Sequence, residues 1–219
     1  MDRCVIKRRL YQDILQYQLR HKNKFRMFDP VDVVCFDLDD TLWPCRPVLE
    51  RAEQTVFEWL STHCPAVTEK YSSSGLVKRR MAYMSQQMHL QHDMTSMRYN
   101  FFIELFKDFG IRDPDFARQA LNIFRSARNE VQPFDDVVPA LRKLQNKYVL
   151  TSYSNGNAQL ESTGLMPYFD GAHLSEHTGF AKPKREAFNW LVSHYETVPQ
   201  RILFVGDDAG NDIDGPRDA

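Results

Sequence analysis

The chain has 219 residues, of which 42% are hydrophobic, so it can bury the core of one domain or of a core domain with an insertion. Lys and Arg total 28 against 29 Asp and Glu, and this formal net charge of -1 gives no support for binding to nucleic acid or to an anionic membrane. The cysteines form no Cys-x-x-Cys pair, and no apolar run is long enough to cross a membrane. The composition therefore predicts a reducing, cytoplasmic setting without a membrane span.

Residues 1–30 form the one basic stretch, with eight Lys or Arg against three Asp. Ile6, Leu10, Ile14 and Tyr17 recur at helical spacing, so a short amphipathic helix is predicted there. Such a helix can lie on a membrane or a partner, or it can be an appended surface element without a ligand. The sequence leaves these two interpretations open.

An apolar run at residues 33–36 predicts a buried strand, and it is followed at once by Asp37, Asp39 and Asp40. Because side chains alternate along an extended segment, Asp37 and Asp39 are expected on one side and Asp40 on the other. Two close carboxylates repel each other unless a cation or a shared proton separates them. The pair therefore predicts a magnesium ion or a raised pKa, the alternative being a polar turn after a core strand.

The next segment, residues 44–132, has helical periodicity and predicts four helices. The second of these, at about residues 76–90, carries Met81, Met84 and Met88 at helical spacing, which favours packing in a core over ligand binding. From residue 133 the pattern changes to helices alternating with short apolar strands near residues 148–153, 172–174 and 201–205. The fold class predicted is α/β, with a Rossmann-like parallel sheet formed by residues 31–43 and 133–219 and a helical cap inserted at residues 44–132.

Polar groups follow three of the predicted strands, and parallel winding would bring them to one edge of the sheet. They are Asp37 and Asp39 after the first strand, Ser154 and Asn155 after the second, and Asp207 and Asp208 after the last, with Lys182 in a loop. Each group alone is typical of a turn, a helix cap or a solvated loop. Together they suit phosphoryl transfer, in which a cation and hydrogen-bond donors stabilise negative charge on oxygen.

This chemistry assigns separate roles to the two carboxylates of the first strand. Asp37 would attack phosphorus and form an aspartyl phosphate, and Asp39 would protonate the leaving alkoxide and then accept a proton from water. Asp37 and Asp207, with a backbone carbonyl near Asp39, would hold magnesium. Ser154 and nearby amides would bind phosphate oxygens, while Lys182 would neutralise Asp37 and the transferring group.

With these motifs the chain resembles the phosphatases of the haloacid dehalogenase superfamily, over roughly residues 31–219. The four family motifs have counterparts at Asp37 to Leu42, at Ser154, at Lys182-Pro183, and at Gly206-Asp207-Asp208 followed by Asp212 in a supporting position. The resemblance implies a C1-type helical cap that selects the substrate. It also implies a phosphatase or phosphomutase rather than a dehalogenase, because Asp39 supplies the acid that an alkoxide leaving group needs.

Two further stretches resemble bacterial phosphatases that act on flavin mononucleotide and on the phosphorylated ribitylamino-uracil intermediate of riboflavin synthesis. These stretches are residues 154–159 and residues 92–98, and the second ends at Arg98. Arg98 could contact the substrate phosphate or a polar ring, or it could form an exposed ion pair on the cap surface. The resemblance implies a small phosphorylated metabolite as substrate and Mg²⁺ as cofactor.

The chain departs from the family pattern at both ends. The basic stretch at residues 1–30 has no counterpart, and relatives continue beyond Ala219 through a further strand and helices. A truncated core is therefore expected, and it would expose the edge of the sheet. Two alternatives to a phosphatase stay open on these grounds: a phosphomutase on the same scaffold, and a catalytically weak binding or scaffold protein.

Overall fold

The structure is a computed structural model that describes residues 31–219, so the predicted basic extension at residues 1–30 lies outside the described residues. Four short strands alternate with helices along this part of the chain. The strands are β1 (Val33–Phe36), β2 (Val149–Ser154), β3 (Gly171–Leu174) and β4 (Ile202–Val205). The helices are α1 (Cys45–His63), α2 (Pro65–Lys70), α3 (Ser73–Ser85), α4 (Met94–Lys107), α5 (Pro114–Asn129), α6 (Val137–Leu144), α7 (Ser175–Thr178), α8 (Arg185–His194) and α9 (Gly215–Asp218).

The four strands form one sheet in the order β3-β2-β1-β4, and every neighbouring pair is parallel. Strand β1 is central, with Val33 opposite Val149 on one side and Ile202 on the other. Its residues are at most 2% exposed, as expected for a strand covered on both faces. The predicted α/β fold with a parallel sheet is confirmed, and β1 delivers the acidic segment to the middle of the sheet edge.

The main core lies between one face of the sheet and the amphipathic helix α6. Phe36 of β1 meets Phe169 edge to face, with 5.9 Å between the ring centroids, and helix α6 buries Leu141 and Leu144 against the same cluster. Burying one such side chain contributes roughly 1.5–3 kcal/mol. This packing fixes the strand from which Asp37 projects.

Helices α1 to α5 have a hydrophobic cluster of their own, rich in aromatic side chains. Phe102 and Phe106 of α4 stack at 5.9 Å, and Phe124 of α5 is fully buried beside them. Helix α5 begins as its sequence predicts, with Asp113 accepting a hydrogen bond from the Asp115 amide at 2.9 Å. A separate cluster is consistent with an inserted cap, and the boundaries at residues 44–132 stay a prediction.

The inserted segment differs from the sequence prediction in two respects. It contains five α-helices rather than four, because Pro65–Lys70 forms a short helix of its own. Helix α3 ends at Ser85 instead of continuing to about residue 90, and the prediction that its methionines pack in a core is wrong. Met81 and Met88 are 60% and 62% exposed, while Met84 lines a cavity, because α3 buries only Leu76 against its neighbours.

Within residues 31–219, no helix is both long enough and apolar enough to cross a bilayer.

Candidate active site

A cavity of about 440 Å³ lies at the carboxyl ends of the strands, below helices α1, α3, α4 and α5. Its position is where ligands of open parallel sheets bind. Every site residue predicted from the sequence lines this cavity: Asp37, Asp39, Arg98, Ser154, Asn155, Lys182, Asp207, Asp208 and Asp212. The structure therefore brings together groups that are up to 175 positions apart in the chain.

Asp37 and Lys182 form a buried ion pair at the base of the cavity. The Lys182 Nζ donates to Asp37 Oδ1 at 2.8 Å and to Asp212 Oδ1 at 2.6 Å, and all three residues are less than 10% exposed. Burial raises the pKa of the Asp37 carboxyl to about 7, against the opposing effect of Lys182. Burial would lower the pKa of Lys182, but Asp37 and Asp212 outweigh it and raise that pKa.

Carboxylate oxygens of Asp37, Asp207 and Asp212 lie within 4.8 Å of one another. We call these three residues and Lys182 the acidic cluster. Three carboxylates against one ammonium leave two formal negative charges, and hard oxygen donors at this spacing suit a divalent cation such as Mg²⁺. The donor set therefore fits magnesium. Asp212, predicted only in a supporting position, belongs to this cluster.

The side chain of Asp39 has hydrogen-bond partners outside the acidic cluster. Its Oδ1 accepts a hydrogen bond from Trp43 Nε1 at 3.0 Å, and its Oδ2 accepts one from Arg128. Asp40 adopts φ of 58°, a left-handed conformation that aspartate tolerates, and its Oδ1 accepts a hydrogen bond from the Cys45 amide. The three carboxylates thus have different partners, although all three line the cavity.

The loop after β2 holds both the predicted phosphate-binding group and the predicted lysine in place. Ser154 is 2% exposed, and its Oγ accepts a hydrogen bond from the Gly156 amide at 3.1 Å. Asn155 Nδ2 donates to the Lys182 carbonyl and Asn155 Oδ1 accepts from the Lys182 amide, each at 2.8 Å. Asn155, predicted to bind substrate, thus also fixes the backbone of Lys182.

Asp208 serves the turn after β4. Its Oδ1 accepts a hydrogen bond from the Asn211 amide at 2.7 Å, and its own amide donates to Asp212 Oδ2 at 3.1 Å. These bonds support a π-helical turn, Ala209–Asp214, that returns Asp212 to Lys182. Capping was one of the sequence interpretations of Asp208, and it is the arrangement observed.

Three arginines from the inserted helices line the cavity opposite the acidic cluster. Arg80 and Arg98 share Glu53, at 2.9 and 2.8 Å, and Arg98 also covers the Phe124 ring at 3.4 Å. Arg98 is 5% exposed, so the alternative of an exposed ion pair on the cap surface is wrong. Burial lowers its pKa to about 10, against the effect of Glu53. We call Arg80, Arg98, Arg128 and Glu53 the arginine cluster.

Arg128 lines the cavity and is 1% exposed, but it is not among the site residues predicted from the sequence. A signal was present in helix α5: Ala117, Ala120, Leu121 and Phe124 form its buried stripe, and position 128 continues that stripe by one turn. A cation on the buried face of an amphipathic helix needs a nearby counter-charge. The partner could not be found from the sequence, because Asp39 lies 89 positions away.

Comparisons with known proteins agree with this geometry. A sequence model of the haloacid dehalogenase-like hydrolase family matches residues 31–219. The chain is 29% identical over 195 residues to the 5-amino-6-(5-phospho-D-ribitylamino)uracil phosphatase YigB of Escherichia coli K12, covering 87% of this chain and 81% of that protein. It is 23% identical over 193 residues to the glyceraldehyde 3-phosphate phosphatase of Methanopyrus kandleri, covering 84% and 79% of the two chains.

Solved structures show the same fold. A 2-haloacid dehalogenase from Pseudomonas syringae pv. tomato DC3000 superposes with a TM-score of 0.77 and 29% identity, over 86% of this chain and 83% of that chain. The magnesium-bound hydrolase YfnB of Bacillus subtilis superposes with a TM-score of 0.60 and 23% identity, over 86% and 85%. The predicted family is thereby confirmed, and the chain belongs to the haloacid dehalogenase-like hydrolases.

Proposed function

We propose that this protein is a magnesium-dependent phosphatase of small phosphorylated metabolites. The observation that carries the proposal is the buried arrangement of Asp37, Lys182 and Asp212, with Asp39 held separately at the wall of the same cavity. Asp37 is paired with Lys182, whereas Asp39 is held by Arg128 and Trp43. Two-step phosphoryl transfer needs these two environments, because the nucleophile and the proton carrier are different groups.

In the proposed reaction, an Asp37 oxygen forms a bond to phosphorus as the bond from phosphorus to the ester oxygen breaks. Asp39 gives its proton to the departing alkoxide, and in the second step it takes a proton from the water that attacks the aspartyl phosphate. Lys182 and the Ser154 hydroxyl hold the phosphoryl oxygens. Asp37 and Asp207, with Asp212 beside them and the backbone carbonyl near Asp39, would hold Mg²⁺, which when bound supplies positive charge near the phosphoryl group.

Asp39 favours a phosphatase over a dehalogenase, although a structural neighbour is named as a dehalogenase. A halide ion leaves without a proton, whereas an alkoxide needs one, so an acid at this position has a task only in the phosphatase reaction. The relatives named for phosphatase activity support the same choice. A phosphomutase would use the same residues, and no separate feature of the described residues favours it.

For the substrate, we propose a phosphate monoester small enough for the cavity of about 440 Å³. The first candidate is the ribitylamino-uracil phosphate on which YigB is named to act. The second is flavin mononucleotide, which only the resemblance of residues 92–98 and 154–159 suggests. The inserted helices that form the upper wall of the cavity would select among such substrates. A cytoplasmic setting belongs to the same proposal.

The test is phosphate release by the purified chain from 4-nitrophenyl phosphate and from a panel of phosphorylated metabolites, with magnesium and with a chelator. We expect hydrolysis that requires magnesium and falls at least about a thousandfold in Asp37→Asn, because the nucleophile is lost. Asp115→Asn is the matched control, since its side chain is 77% exposed.

Activity that survives Asp37→Asn, or that is unchanged by chelation, would contradict the mechanism. Isomerisation of a sugar phosphate without net release of phosphate would identify the phosphomutase instead. A folded, magnesium-binding chain that hydrolyses no member of the panel would favour the binding or scaffold protein.

A further inference from the structure

Arg128, in the inserted helices, forms an ion pair with the predicted catalytic carboxylate of Asp39. Its Nη2 donates to Asp39 Oδ2 from the last turn of helix α5. The position of that turn is itself fixed: the Arg51 guanidinium donates to the Ala127 carbonyl at 3.2 Å, and Asn129 Oδ1 accepts a hydrogen bond from the Gln159 amide at 2.9 Å. Arg128 therefore reaches the sheet edge from a backbone held at both sides.

The burial of Arg128 is costly for the fold. Its side chain is 2% exposed, and its Nε and Nη1 atoms have no hydrogen-bond partner among the described residues. Buried donors without partners destabilise a protein, and a buried ion pair seldom exceeds the stability of an apolar replacement. A contribution to stability is thus a poor explanation for a guanidinium at this position, which lines the cavity.

The contacts of Asp39 indicate what the guanidinium does. Trp43, which is fully buried, donates to Oδ1, and Arg128 donates to Oδ2, so both oxygens are held and the carboxylate cannot rotate freely. Gly156 lies against the same pair: a Cβ built at this position would lie 2.6 Å from Asp39 Oδ2 and 3.4 Å from Arg128 Nη2. The absence of a side chain at residue 156 leaves the space that the ion pair occupies.

We propose that Arg128 is a positioning residue for Asp39, which it holds where the ester oxygen of the substrate is protonated. The inference rests on the proposed phosphatase function and deepens it, because it makes proton transfer depend on a residue of the inserted helices. A structural ion pair and a direct ligand of the phosphate are the competing roles for Arg128. The three roles predict different dependences on the leaving group for the loss of activity in a variant without Arg128.

The experiment compares two esters in the full-length chain with magnesium. The nitrophenolate of 4-nitrophenyl phosphate leaves without a proton, whereas the alkoxide of glycerol 3-phosphate needs one. In Arg128→Met, kcat/KM, which covers only the steps up to departure of the leaving group, should fall by about a hundredfold for glycerol 3-phosphate, the range of general acid catalysis, and by less than about threefold for 4-nitrophenyl phosphate. Asp39→Asn should show the same dependence on the leaving group in kcat/KM, although its kcat should fall on both esters because it also lacks the base for the second step. Combining it with Arg128→Met should cause little additional loss of kcat/KM.

Two further variants complete the comparison. Arg118→Met, on the same helix but with its side chain 62% exposed, should leave both rates unchanged. The Tm of Arg128→Met should stay close to that of the wild type, because the removal of unpartnered buried donors opposes the loss of the counter-charge of Asp39. If Arg128→Met fails to fold, Arg128→Gln, which keeps a polar group at this position without the positive charge, should show a selective loss on glycerol 3-phosphate.

Each outcome decides the proposal. Selective loss on glycerol 3-phosphate with non-additivity supports it. Equal loss on both esters, with a higher KM, would identify a ligand of the phosphate, and equal loss with a lowered Tm would identify a structural ion pair; either result overturns it. Unchanged rates of Arg128→Met on both esters would overturn this inference alone. If the wild type releases phosphate from no member of the metabolite panel, the proposed function fails and this inference fails with it.

Discussion

The two walls of the cavity carry opposite charge and are built in different ways. The acidic cluster has three carboxylates against one ammonium, and the arginine cluster has three guanidinium groups against Glu53. The acidic cluster is attached to strand ends and to the loops that follow them, so backbone hydrogen bonds of the sheet fix it. The arginine cluster projects from helix faces and is fixed by side-chain contacts alone.

This difference separates chemistry from selection. A parallel sheet brings the ends of its strands to one edge whatever covers them, so the acidic cluster keeps its geometry when the inserted helices vary. The arginine cluster depends on the lengths and packing of five helices, and it is the wall that a change of substrate would alter. Asp39 connects the two clusters, because it lies two residues after Asp37 in the sequence and accepts a hydrogen bond from Arg128 of the arginine cluster.

Removal of Lys182 should have the largest effect on the acidic cluster. In Lys182→Met, two buried carboxylates lose their common counter-charge, so kcat should fall at least about a hundredfold and the metal-free protein should lose about 3 kcal/mol of unfolding free energy. Phosphate release and denaturant unfolding measure the two effects. Lys184→Met is the control, because Lys184 is exposed two residues away. Equal behaviour of the two variants would show that the ion pair seen here does not form in solution.

The sequence predicts most of the acidic cluster and little of the arginine cluster, for a physical reason. Asp37, Ser154 and Asp207 follow short apolar runs, and the parallel sheet then determines that they meet. The contact of Asp212 with Lys182 needs the π-helical turn after β4, whose geometry no local pattern indicates.

Contacts within the arginine cluster join helices that are far apart in the chain. Glu53 and Arg98 are 45 positions apart, and spacing within one helix says nothing about a partner in another. The same limit explains Met81 and Met84, which lie on helix α3 as predicted although they are not packed in a core, while Met88 lies beyond the end of that helix. Burial of Arg98 was equally beyond the sequence, since it depends on Phe124 of helix α5.

Loss of Glu53 should have a smaller effect on activity than loss of Lys182, because it disturbs only the arginine cluster. Glu53→Gln keeps the size of the side chain but leaves Arg80 and Arg98 without a carboxylate, so it should cost about 1–3 kcal/mol of unfolding free energy. Activity on 4-nitrophenyl phosphate should fall by less than about threefold, because the acidic cluster is untouched. The KM values for the members of the metabolite panel should change by different factors. Glu58→Gln, exposed on the same helix, is the control. A loss of kcat as large as that of Lys182→Met would contradict the separation of the two walls.

The most direct measurement is the mass of the peptide that contains Asp37 after an acid quench during turnover. We expect the mass of one phosphoryl group on Asp37, accumulating in Asp39→Asn when the substrate is 4-nitrophenyl phosphate, since the intermediate forms without a proton and then lacks the base that activates water. The peptide should stay unmodified in Asp37→Asn. Turnover without phosphoryl transfer to Asp37, or with the phosphoryl group on another residue, would contradict the account.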